Sequence, residues 1–105
     1  MIKNIPCRVM EVGCGEGGNL IPFAEMGCDV IGVDLDALRV QQAIAFFKER
    51  NQNGQFIASD IFKINDQQGG YSLVLMHDVI EHVDDKLQLL VKLKSFLSTD
   101  GVLFV

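Results

Sequence analysis

The residues whose types and spacing carry the most chemistry lie in the run Glu11-Val12-Gly13-Cys14-Gly15-Glu16-Gly17-Gly18. Glycines this close together permit a tight turn and let a ligand approach the backbone. Where a strand leads in and a helix leads out, the helix start adds free N–H groups. Asp34 follows Gly13 by 21 residues. At that distance an acidic side chain accepts hydrogen bonds from ribose hydroxyls in nucleotide-binding α/β folds. Loop and acid together point to an adenosine-containing cofactor. A second cluster is His77-Asp78-Val79-Ile80-Glu81-His82. On a helix, Asp78, Glu81 and His82 would share one face at i, i+3 and i+4. That face suits a general base, a divalent-metal site or packing within the fold, and no residue is assigned as a metal ligand.

Glu11 separates the candidate cofactors. Gly13, Gly15 and Gly18 spell the G-x-G-x-x-G dinucleotide fingerprint, and Gly13, Gly15 and Gly17 equally spell G-x-G-x-G. A pyrophosphate beside the loop would meet the Glu11 carboxylate at close range, which is costly in a partly buried site. S-adenosylmethionine carries a sulfonium and an ammonium, so the same carboxylate favours it, directly or by fixing the loop. Glu16, Asp34, Asp60 and Asp78 near the strand ends make the pocket still less hospitable to a dianion.

The stretch Glu11 to Gly17 resembles motif I of the class I S-adenosylmethionine-dependent methyltransferases, with its acid-x-Gly-x-Gly-x-Gly core. The likeness continues along nearly the whole chain. Val33-Asp34-Leu35-Asp36 resembles the ribose-binding acid and its apolar neighbour. Ala58-Ser59-Asp60-Ile61 resembles the segment after strand three that meets adenine. Met76-His77-Asp78-Val79-Ile80-Glu81-His82-Val83 resembles the segment after strand four in the small-molecule subgroup, which includes quinone-biosynthesis enzymes. Ser98-Thr99-Asp100-Gly101 stands where the family has a Lys-Pro-Gly-Gly turn, without the Lys-Pro.

The resemblance implies roles. Gly13, Cys14, Gly15 and Gly17 contact the methionine part of the cofactor, largely through backbone, with Glu11 beside them. Asp34 takes the ribose. Leu35 and Ile61 border the adenine, Ser59 lies next to them, and Asp60 hydrogen-bonds the ring. His77 sits beside the sulfonium. Of the acceptor side, His77, Asp78, Glu81 and His82 are the catalytic candidates. Methyl transfer is an in-line displacement in which the protein mainly positions the partners, and a base is needed only if the acceptor must lose a proton.

The elements that must position these groups alternate between short apolar runs and helical periodicity. Strands are expected at residues 7–12, 29–34, 55–58, 71–76 and 101–105. Helices are expected at 19–26, closed by Gly27, at about 37–50, capped by Asp36, and at about 85–97. The second helix offers the stripe Leu38, Val40, Ala43, Ile44, Ala45, Phe46 and Phe47. The third offers Leu87, Leu90, Val91, Lys94 and Leu97. Residues 66–70 and 98–101 read as turns. Alternating strands and helices imply an α/β fold with a parallel sheet and right-handed crossovers. The resemblance makes this a Rossmann-like sheet holding five of the seven strands of the family fold. Residues 1–105 then form one S-adenosylmethionine-binding domain, truncated at the C-terminus, with strand five as an open edge for self-association.

Composition narrows the function classes. Apolar residues make up 49% of the 105-residue chain, which suits a globular domain. Net charge is −5 with no basic cluster, which argues against nucleic acid as a partner. No apolar run reaches the ~18 residues of a membrane span, and no secretory signal opens the chain. Cys7, Cys14 and Cys28 lack C-x-x-C spacing, so reduced cytoplasmic thiols are expected, with Cys7 and Cys28 as small buried residues and Cys14 as a filler in the loop. The expected activity is methyl transfer from S-adenosylmethionine to the O, N or C atom of a small-molecule acceptor. The alternatives are a non-catalytic fragment that only holds the cofactor, and an NAD-binding oxidoreductase domain.

Overall fold

Short runs of Val, Ile and Leu form strands that can be buried on both faces, as a parallel sheet requires. The computed structural model describes residues 7–65, 69–76 and 84–105. Five strands, β1 (Arg8–Val12), β2 (Asp29–Asp34), β3 (Gln55–Ala58), β4 (Tyr71–Met76) and β5 (Leu97–Phe104), form one sheet in the order β3-β2-β1-β4-β5. Every neighbouring pair is parallel. The helices are α1 (Ile21–Glu25), α2 (Ala37–Glu49) and α3 (Lys86–Lys94), and a single 3-10 turn spans Ile61–Lys63. This is the expected five-stranded Rossmann-like α/β architecture.

Side chains alternate across β1, so the two faces of the sheet build two cores. Met10 and Val12 pack with Ile31, Val33, Val74 and Met76 beneath Leu89, Leu93 and Phe96. Val9 and Val30 face the other way, toward Leu20, Ile21, Ala24 and Phe47. The ring of Phe47 meets Phe56 edge-on at 4.8 Å.

Local chemistry explains the helix ends. Asp36 caps α2: its Oδ1 accepts from the N–H groups of Leu38 (2.9 Å) and Arg39 (3.4 Å). Asp85 caps α3 by accepting from the Gln88 N–H. The helix α1 is shorter than expected, because residues 17–20 are taken up by turns that complete the glycine loop. It closes as expected at Gly27, whose φ of 93° lets the Cys28 N–H reach back to the Phe23 carbonyl at 3.0 Å.

Three expectations are corrected. In α3 the buried residues are Leu89 and Leu93, whereas Leu87 is 72% exposed. Apolar residues occur all round that helix, so its periodicity does not single out a face; contact with the sheet does. Residues 98–101 are not a turn before a strand but lie inside β5. There β4 advances only from Tyr71 to Leu73 while β5 advances from Leu97 to Val102. Such a bulge kinks the strand. Gly101 fits there because a side chain would press within 2.6 Å of the Tyr71 carbonyl oxygen. Finally, Cys7 and Cys28 are joined in a disulfide, not held as separate thiols. They precede β1 and β2 by one residue each, and the pairing of Arg8 with Asp29 sets them side by side with Cα atoms 4.9 Å apart.

Candidate functional site

All five strands point the same way, so their C-terminal ends form one rim. The chain leaves β1 toward β2 and β3, then returns to the other side of β1 as β4 and β5. A parallel sheet opens a crevice where its strand order reverses, outside the C-terminal ends of the strands. Here that crevice lies beside the end of β1, where the glycine loop begins.

The loop has a definite shape. Gly13, Gly15 and Gly17 have φ values of 78°, 54° and 88°, in the left-handed region that favours glycine. The N–H groups of Gly13 (2.7 Å) and Cys14 (3.2 Å) both donate to the Val33 carbonyl, binding the loop to the end of β2. The Gly15 N–H donates to Asp34 Oδ2 at 2.9 Å, and the Asp36 N–H donates to Asp34 Oδ1 at 2.9 Å. A side chain at Gly17 would press on Phe47 and Ala43 of α2, whereas one at Gly18 would meet nothing within 4 Å. The third glycine of a dinucleotide fingerprint serves close helix–strand packing. Gly18 has no such duty, so the geometry follows the Gly13-Gly15-Gly17 pattern.

Beneath the loop lies Glu11, 1% exposed. Its Oε2 accepts from Asn19 Nδ2 at 2.9 Å, tying the far end of the loop to β1. Cys14 is buried, and its Sγ lies over Gly32, where any side chain on β2 would come within 2.8 Å of the cysteine. Burial, then the carboxylates of Asp34 and Glu11, push the Cys14 thiol up to about 12. It is therefore neutral at ordinary pH and a poor nucleophile.

At the end of β3, the Ser59 N–H donates to the Asp34 carbonyl at 2.9 Å. Asp60 accepts from the Phe62 N–H and so starts the 3-10 turn. Leu35 is 79% exposed beside Asp34, while Ile61 is buried in the core. The structure thus gathers Glu11, Gly13, Cys14, Gly15, Gly17 and Asp34 in one bonded unit, with Leu35, Ser59 and Asp60 on its flank. His77, Asp78, Glu81 and His82 lie outside the described residues. Two residues escaped the sequence reading. Asn19 could have been found as a polar group at the loop's end. Arg39, whose guanidinium leans on Gly15, left no signal beyond its place in the first turn of a helix.

The rim is suited to a cationic nucleotide derivative, because buried and half-buried carboxylates line the loop while left-handed glycines open its backbone. Among the described residues, no three His, Cys, Asp or Glu side chains are grouped to hold a metal ion. No helix among them is long and apolar enough to cross a membrane. A separate open cavity of about 560 Å³ lies at the opposite end of the strands, lined by Arg8, Asp29, Gln52, Gln55 and Tyr71 among others.

Comparison with known proteins agrees with this geometry. The ubiquinone biosynthesis O-methyltransferase of Chelativorans sp. (strain BNC1) is 29% identical over 98 residues, covering 93% of this chain and 39% of that enzyme. Its counterpart in Rickettsia conorii (strain ATCC VR-613 / Malish 7) is 28% identical over 98 residues, covering 93% of this chain and 34% of that enzyme. The chain therefore spans well under half the length of these relatives. The solved structure of PKMT2 from Rickettsia typhi in complex with AdoHcy superposes with a TM-score of 0.83 at 25% identity, over 92% of this chain and 20% of that one. The family model described as a methyltransferase domain matches residues 3–105, and the chain belongs to that family.

Proposed function

We propose that residues 1–105 are the S-adenosylmethionine-binding part of a methyltransferase that acts on a small-molecule acceptor. The observation that carries this reading is the buried Glu11 carboxylate under a left-handed glycine loop whose backbone is held by Asp34. When bound, the cofactor supplies an electrophilic methyl group on a sulfonium. The chain's own residues bind and orient it. Each Asp34 oxygen accepts one backbone N–H, which leaves lone pairs for ribose hydroxyls. Exposed Leu35 offers an apolar surface to adenine, with Ser59, Asp60 and Ile61 on that side. Gly13, Cys14, Gly15 and Gly17 meet the methionine end through backbone. Glu11 anchors the loop through Asn19 and adds negative charge below the cationic groups.

The acceptor side rests on His77, Asp78, Glu81 and His82, with O-, N- or C-methylation as the reaction. The O-methyltransferase relatives support an oxygen acceptor. The net charge of −5 supports a small molecule over nucleic acid. This proposed function includes a cytoplasmic location. It adds a second copy of the chain as a partner at the β5 edge.

Calorimetric titration with S-adenosylmethionine, S-adenosylhomocysteine and NAD tests the cofactor. The first two should bind and NAD should not. Asp34→Ala should weaken S-adenosylmethionine by about 1–3 kcal/mol or more, the usual cost of stranding buried polar partners. Binding of NAD alone, or full affinity in the Asp34 variant, would overturn the assignment.

A further inference from the structure

Arg39 stands in the first turn of α2, and its Nη1 lies 3.1 Å from where a Cβ on Gly15 would sit. A side chain at Gly15 would crowd the guanidinium, which lies close over the loop backbone. Asp34 takes the Gly15 N–H, so an anion and a cation hold the same loop residue. Among the described residues the guanidinium makes no ion pair and no hydrogen bond, whereas the Arg39 backbone N–H donates to Asp36. Every other charged side chain named at the loop is acidic: Glu11, Glu16 and Asp34, with Asp36 at the start of α2.

That charge pattern is informative once the cofactor reading above is taken as its basis. The methionine end of S-adenosylmethionine presents two cations, the sulfonium and the ammonium, and one carboxylate. The acids suit the cations. The carboxylate needs a donor, and the buried Glu11 and half-buried Asp34 nearby make an unpartnered anion costly. Guanidinium is planar, always charged and matched to a carboxylate for bidentate bonding. We infer that Arg39 is the side chain that binds the α-carboxylate of the cofactor, and that it selects ligands with an intact amino-acid end over truncated nucleosides. Because Arg39 reaches the loop from α2, recognition of the ribose and of the carboxylate is set by one β2–α2 junction.

The test is a titration of the wild-type chain, Arg39→Ala and Arg39→Lys with three ligands: S-adenosylhomocysteine, its decarboxylated analogue, and 5′-methylthioadenosine. The wild type should prefer S-adenosylhomocysteine to the decarboxylated analogue by tenfold or more. Arg39→Ala should abolish that preference and leave 5′-methylthioadenosine within twofold of wild type, which also shows that the variant is folded. Arg39→Lys should restore part of the preference. Equal weakening of all three ligands would make Arg39 a prop for the loop and overturn the inference. Undiminished S-adenosylhomocysteine binding in Arg39→Ala would overturn it too, while leaving the cofactor reading intact. If the wild type binds none of the three, the cofactor reading falls and this inference falls with it.

Discussion

At the scale of the residue, the site is a matter of which glycine does what. Gly17 has a φ of 88°, and a side chain there would crowd Phe47; Gly18 is open. Gly17→Ala should therefore cost more than about 1 kcal/mol in denaturant unfolding, since Ala resists a positive φ. Gly18→Ala should stay within about 0.5 kcal/mol, as surface changes do. The reverse order would restore the dinucleotide pattern. Glu11, the glycines and Asp34 were legible in the sequence because their spacing follows from one strand, one turn and one crossover. Asn19 and Arg39 were not, because their contacts depend on how the loop folds back. The disulfide was missed for a related reason: Cys7 and Cys28 become neighbours only through the parallel register of β1 and β2.

At the scale of the element, residue type sets where the helices start and stop, whereas contact with the sheet sets which face is buried. Asp36 caps α2 and Gly27 closes α1 as their residue types dictate. In α2 the buried set narrows to Val40, Ala43 and Phe47, with Leu38 and Ile44 exposed. In α3 the chemistry of the segment supports several faces; Leu89 and Leu93 are the buried ones, and the expected Leu90 packs half-buried against the same core. Leu89→Ala should lose about 2–5 kcal/mol, the cost of a cavity in a packed core. Leu87→Ala should lose no more than about 0.5 kcal/mol. Thermal unfolding of the two variants separates the faces. The bulge in β5 was illegible because Ser98-Thr99-Asp100-Gly101 has the composition of a turn, and sheet pairing overrides that preference.

At the scale of the whole molecule, the order β3-β2-β1-β4-β5 puts the best-protected strand under the glycine loop and leaves β5 at an edge. Val102, Phe104 and Val105 are exposed there. An edge with apolar side chains is a template for another strand. Sedimentation should show association of this chain that rises with concentration and is suppressed in Phe104→Lys; a strictly monomeric wild type would contradict it. The disulfide acts at the same scale. Its residues are 21 apart in sequence, and opening a loop of that length frees about 3 kcal/mol of unfolded-chain entropy. Reduction should lower the melting temperature of the oxidised chain by about 10 °C or more. The bond lies at the far end of the strands from the glycine loop, yet every residue of that loop falls between the two cysteines. In the oxidised chain residues 7–28 thus form a ring that carries the loop opposite its clasp. A single backbone cut between residues 13 and 18 would leave it in one covalent piece, where the reduced chain would come apart in two.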